Sequence, residues 1–207
     1  MCARLRVLLM AAFLMAASGV ALADSFTFDM GDSSWIDTSG TASALEMWAD
    51  VYGSVGSEVF TLNEGDSYSF LFAQMGTHES DVNPDDLIPG AVTAYVDFDI
   101  PSLTGDVDGV TVGFRGGWLG FTQGWDLVWS DPVVVDFAGG GKFSLELSDA
   151  SIRNGWWVGP DGLFDNAYAD ISATVTLIDA PAIPEPATIS LLGLALAGWA
   201  VRRKIMA

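Results

Sequence analysis

The chain has 207 residues, room for one domain of ordinary size plus targeting segments. Its formal net charge is −19, and residues 24–182 alone hold 26 acids against three bases, a net of −23. Phosphate backbones and anionic lipid would repel such a body, which excludes nucleic acid as a partner and leaves water, cations and neutral polymers.

The N-terminus has three zones. Met1–Arg6 is short and positive, Val7–Ala17 is apolar, and Ser18–Ala23 ends in Ala21-Leu22-Ala23 before Asp24. That is the layout of a secretory signal peptide over residues 1–23. Small side chains at Ala21 and Ala23 suit a signal peptidase, so the mature start is expected at Asp24. The only cysteine, Cys2, lies in this leader. Its removal would leave a body without disulfides, thiolate zinc sites or cysteine nucleophiles. Cys2 also precedes the apolar run, so it cannot serve as a lipoprotein cysteine.

Residues 24–179 read as an acidic ectodomain rich in strands. In Ala91–Ile100, Val92, Ala94, Val96, Phe98 and Ile100 fall on one face, and Thr93, Tyr95, Asp97 and Asp99 on the other. This period of two marks a half-buried strand. Phe143, Leu145 and Leu147 repeat it, as do Ile171, Ala173, Val175 and Leu177. Ser25–Phe28, Val59–Leu62, Tyr68–Phe72 and Val110–Phe114 look like further short strands. Turn signals stand between them: Asn63-Glu64-Gly65-Asp66, Asn83-Pro84, Pro89-Gly90, Asp108-Gly109, Gly139-Gly140-Gly141 and Pro160-Asp161-Gly162. Thr41–Val51 is ambiguous, because Ala44-Leu45-Glu46-Met47 has helical propensity. The expected fold is all-β, an antiparallel β-sandwich or jelly roll, flanked by an N-terminal signal helix and a C-terminal hydrophobic helix.

Residues 180–207 form a separate segment. Ala180-Pro181-Ala182-Ile183-Pro184-Glu185-Pro186 is an extended linker, since each proline fixes its own backbone and restricts its predecessor. An apolar run over 187–201 follows, closed by the basic end Arg202-Arg203-Lys204. Basic residues there act as a cytoplasmic stop and leave the body outside. The run would span roughly 22 Å as a helix against about 30 Å of bilayer core, short for a permanent anchor. Brevity suits a signal that holds the protein only until an enzyme acts.

Pro184-Glu185-Pro186-Ala187-Thr188, the Leu/Gly/Ala run and Arg202-Arg203 together resemble the PEP-CTERM sorting domain of Gram-negative bacteria. The resemblance covers about 24 residues, with motif, run and basic end in order. The one departure is Lys204-Ile205-Met206-Ala207, a longer stretch beyond the arginines than the usual near-immediate stop. The resemblance implies an exosortase-type membrane enzyme as partner, a transient inner-membrane intermediate, and release to the cell surface or outside. It also implies an association with exopolysaccharide and biofilm matrix. Phe60–Ser67 and Asp85–Pro89 are loosely similar to ectodomains found on such proteins, which supports the architecture and assigns no activity.

The body itself carries little recognisable chemistry. His78, the only histidine, sits in the polar stretch Gly76–Asp81 and reads as an exposed loop residue. No serine stands in a nucleophile elbow, and one histidine cannot build a typical catalytic zinc site. The chain is therefore expected not to be an enzyme. Calcium is the one cofactor the composition admits, through loop acids at Asp81, Asp85 and Asp86, at Asp106 and Asp108, and at Asp161, Asp165 and Asn166. None of these matches the twelve-residue calcium loop of helix–loop–helix proteins, and a solvated acidic surface explains them equally. Trp118, Trp156 and Trp157 are candidates for stacking on polysaccharide, whereas Trp125, Leu127 and Trp129 share one strand face and read as core. The leading expectation is an exported structural protein of the surface or matrix. The alternatives are a carbohydrate-binding module and a secreted hydrolase.

Overall fold

A computed structural model describes residues 25–79, 82–116, 122–154 and 168–181. Asp24–Ala180 forms a compact unit of its own. Among the described residues there is no α-helix. The strands are β1 (Ser25–Met30), β2 (Trp35–Asp37), β3 (Met47–Val51), β4 (Val59–Asn63), β5 (Ser67–Thr77) and β6 (Gly90–Ile100). They continue as β7 (Leu103–Gly116), β8 (Thr122–Trp129), β9 (Val133–Phe137), β10 (Gly141–Leu147), β11 (Ala150–Asn154) and β12 (Tyr168–Asp179).

The strands make two sheets. One runs β11-β8-β7-β6-β1-β4, with β2 also paired to β6; the other runs β3-β5-β12-β10-β9. All pairings are antiparallel. The alternation in the sequence sets which face is buried. Val92, Ala94, Val96 and Phe98 line one sheet, and Phe143, Leu145, Ile171, Ala173, Val175 and Leu177 line the other; all are buried. The two faces meet through aromatic rings. Phe143 of β10 lies 5.3 Å from Phe28 of β1 and 5.1 Å from Phe98 of β6. Burial of this apolar surface is the main favourable term in folding.

The expected turn at Asn63–Asp66 joins β4 to β5 across the two sheets. Gly65 takes a positive φ of 85°, a conformation that favours glycine. Its N–H donates to Leu177 O (2.8 Å), while Asn63 Nδ2 donates to Asp66 Oδ2 (2.6 Å).

Two expectations are corrected and one ambiguity is resolved. Asp108-Gly109 is not a turn but lies inside β7. The glycine is there for space: Gly109 sits opposite Trp129, and a Cβ on it would stand 2.6 Å from Trp129 Cε3. Thr41–Val51, left ambiguous by the sequence, contains no α-helix: Thr41 ends a 3-10 turn over Ser39–Thr41, Ala44 and Leu45 are buried in the following turn, and Met47–Val51 pairs with β5. Tertiary pairing overrides a weak local propensity. Ile100, expected on the inner face, is exposed, because β6 ends there and the chain turns back at Pro101-Ser102.

Candidate functional site

Two places on the described body combine polar chemistry with defined geometry. The first is the outer face of β2, β6 and β7. Register places Trp35, Tyr95 and Asp106 in one row across the three strands. The Trp35 and Tyr95 rings stack with centroids 4.4 Å apart and planes 13° apart. Trp35 nevertheless remains 49 % exposed. The next row holds Asp37, Thr93 and Asp108, where Thr93 Oγ1 donates to Asp108 Oδ1 (2.8 Å). On the other side, Asp97 accepts from Ser33 N–H (3.3 Å) and from Thr104 Oγ1 (3.3 Å). Asp97 N–H donates to Ser34 Oγ (2.9 Å), and its carbonyl accepts from Gly31 N–H (3.0 Å). These bonds pin the β1–β2 turn to β6 and so fix where Trp35 stands. Asp37 Oδ1 accepts from Ser39 N–H (2.9 Å), and that backbone hydrogen bond holds the Asp37 carboxyl below its ordinary range.

The second place is the connection between β5 and β6. Thr77 Oγ1 donates to Glu46 O (2.7 Å), and Glu46 N–H donates to Glu79 Oε1 (2.7 Å), so this segment is latched to the strand entry at β3. Val82 N–H donates to buried Gln123 Oε1 (2.7 Å), and Gly113 N–H donates to Asp86 O (2.8 Å). Asp86, expected in a calcium loop, is instead buried, and its carboxylate accepts from Asn83 N–H. Asp106 and Asp108 face outward from β7 rather than sitting in a loop. Among the described residues no group of three or more His, Cys, Asp or Glu is arranged to hold a metal ion.

Burial pushes the Glu79 carboxyl above its ordinary range; the Glu46 N–H opposes this, and neighbouring Asp86 and Asp85 add to the rise. A carboxyl whose folded pKa is raised favours the folded state most when protonated. Its contribution therefore grows as pH falls through the raised value, and is lost as pH rises through it. Glu79→Gln is uncharged and keeps the acceptor for Glu46 N–H. We expect it to melt higher than the wild type at pH 7 and to lose part of the wild type's gain on acidification towards pH 5. Thermal melts at both pH values check this; a variant that melts lower at pH 7 and keeps the full slope would contradict it.

His78 is exposed and stacks on Trp48 at 5.9 Å. The bases of the body are engaged elsewhere. Arg153 binds both Asp126 carboxylate oxygens (2.6 Å each) and lies 4.5 Å over the Phe114 ring. Burial raises the Asp126 pKa, but hydrogen bonds from Arg153 and Ser151 and the charge of Arg153 outweigh it, and the net shift is downward. Lys142 Nζ is 3.2 Å from Asp136, and Arg115 Nη1 is 3.5 Å from Val82 O.

Most residues singled out in the sequence lie outside the described residues. These are Ala21 and Ala23, the calcium candidates Asp81, Asp161, Asp165 and Asn166, Trp118, Trp156 and Trp157, Pro184, Glu185 and Pro186, and Arg202, Arg203 and Lys204. Both terminal helices expected from the sequence lie outside them too. Among the described residues no helix is long and apolar enough to cross a membrane. Trp125 and Leu127 are fully buried and Trp129 nearly so, as their shared strand face indicates. The Trp35–Tyr95 pair was not legible as a site. Tyr95 reads as outward-facing, but nothing in the isolated stretch around Trp35 points to a partner 60 residues away; only strand register does.

No curated protein and no solved structure matches the chain. Residues 182–204 match the family model described as the PEP-CTERM protein-sorting motif. The matched span contains Pro184-Glu185-Pro186, the apolar run and Arg202-Arg203-Lys204 in that order, and the chain thus carries a PEP-CTERM protein-sorting motif after an all-β body.

Proposed function

We propose that the protein is a non-enzymatic structural component of the cell surface or extracellular matrix, delivered by exosortase-type processing of its C-terminal segment. The sorting motif at 182–204 carries this reading, because it implies export, membrane-associated sorting and an exosortase-type partner. The order of events follows from the chemistry of the segments. Signal peptidase removes residues 1–23, the apolar run at 187–201 holds the intermediate at the inner membrane, and cleavage near Pro184-Glu185-Pro186 frees the body. The body suits an exposed location. Its surface is strongly acidic, which favours solubility and discourages self-association. No cysteine remains after the leader, so its stability does not depend on a disulfide.

We read the two sheets packed through Phe28, Phe98 and Phe143 as a β-sandwich. The consecutive β6–β7–β8 pairing is a meander, a simpler order than the crossing strands of a jelly roll. The matrix assignment predicts where the protein accumulates. In cells producing exopolysaccharide, most of the mature protein is expected in the extracellular polymer fraction after gentle washing. Recovery mainly as a free periplasmic protein would contradict it.

A further inference from the structure

We infer that the row Trp35–Tyr95–Asp106 is a binding platform for an uncharged polysaccharide chain. The indole of Trp35 is half exposed although one of its sides is taken by the Tyr95 ring, so a large flat apolar surface is held rigidly towards solvent. It is held from below. The pairing of Trp35 with Tyr95 sets its position, and the hydrogen bonds of Asp97 to Ser33, Ser34 and Gly31 fix the turn that delivers it. Preorganisation of this kind lowers the ordering cost of binding. Exposed aromatic rings present an apolar face to the C–H faces of sugar rings, while polar groups placed beside them fix orientation. Asp106 lies beyond Tyr95 in the same row, exposed, where it can accept hydrogen bonds from the hydroxyls of a neighbouring sugar along the chain rather than from the one stacked on the free face of Trp35. Three neighbouring strands span about 10 Å, enough for more than one sugar ring.

Charge decides which polysaccharide. Asp37, Asp97, Asp106 and Asp108 surround the ring pair; of the body's three bases, Arg153 and Lys142 pair with Asp126 and Asp136, and Arg115 lies far along β7 from Asp106, opposite Gln123. A uronate, sulfate or phosphate polymer would meet repulsion with no cation to offset it. A protein partner fits poorly too, since interface cores are depleted of charge and this one ring pair is ringed by carboxylates.

The test uses the full-length chain in mild detergent, run by affinity electrophoresis through gels containing hydroxyethylcellulose, galactomannan, dextran or polygalacturonate. At least one neutral polymer should retard the wild type, and polygalacturonate should not. Trp35→Ala should weaken that retardation about tenfold or more, as loss of a central aromatic anchor does. Asp106→Asn should weaken it less. Trp35→Phe, which keeps a ring against Tyr95, should retain partial binding and serves if the alanine variant melts early. Absence of retardation by all three neutral polymers overturns the inference, as does binding confined to polygalacturonate. So does wild-type retardation in folded Trp35→Ala, Trp35→Phe and Asp106→Asn, or a loss seen instead in Trp118→Ala, Trp156→Ala or Trp157→Ala. The inference stands apart from sorting: a chain that binds glycan yet keeps its tail would leave it intact and count only against the delivery route.

Discussion

Replacement of Pro184-Glu185-Pro186 by three alanines is expected to stop C-terminal processing and leave the full tail on the protein. The reason lies in the division of labour along residues 180–207. The apolar run at 187–201 and the basic end supply only membrane affinity, and many other sequences could do the same. The motif is different in kind. Its two prolines hold the backbone extended on either side of one carboxylate, an unusual rigid shape for an enzyme to read. Removing it keeps the membrane hold and deletes the address. The variant should therefore accumulate in the membrane fraction with an intact C-terminus, while the extracellular form falls to background. Immunoblotting of membrane and extracellular fractions with a tag placed just after Asp24 distinguishes the two. Normal release of the variant would show that the motif is not what the enzyme reads.

The second large effect concerns the core. Trp125 is fully buried, the largest of the side chains with almost no exposure. Trp125→Ala is expected to cost about 3–5 kcal/mol, the usual range for aromatic truncation in a core. Against a typical total of about 5–15 kcal/mol, that is a large share. A domain of this size loses roughly 2–4 °C of melting temperature per kcal/mol, so a drop of about 10 °C is expected. Trp125→Phe should cost much less. It leaves a smaller void and removes the Nε1–H, which is buried without a hydrogen-bond partner among the described residues and is itself a penalty. Thermal melting of the three proteins orders them as wild type, phenylalanine and alanine, with the gap below phenylalanine the larger. An alanine variant that melts with the wild type would contradict the core position of β8.

The same strand shows why some of this protein could be read from its sequence and some could not. Trp125, Leu127 and Trp129 alternate with polar residues, and period-two patterning translates directly into a buried face. The same holds for Phe143–Leu147, Ile171–Leu177 and Val92–Phe98. Glycine defeats this kind of reading. Asp108-Gly109 has the composition of a turn, yet Gly109 is required in mid-strand because the Trp129 ring lies against it, and Gly113 because the Asp86 carbonyl approaches it. Only the partner, remote in sequence, explains the residue. Asp86 misled in the same way. Its place among Asp81 and Asp85 suggested a solvated acidic loop, but its side chain is buried, and its carboxylate accepts the Asn83 N–H.

The candidate sites divide along the same line. A sorting segment is linear, so order and spacing carry its information, and the motif at 182–204 was legible in the sequence. The Trp35–Tyr95 platform is assembled across strands, from a three-residue strand with no periodicity of its own. The two rings share a row only because β2 pairs with β6 in a particular register. A shift of one residue would turn Trp35 to the other face and erase the site.

The mature protein is expected to be the body without either terminal segment. Intact-mass and terminal-peptide mass spectrometry of the protein recovered from the extracellular fraction of its own cells tests this directly. The expected result is an N-terminus at Asp24 and a C-terminus that no longer contains the apolar run at 187–201. Recovery of a stable extracellular or membrane form that still carries Leu191–Arg203, in cells with an active exosortase-type enzyme, would contradict it.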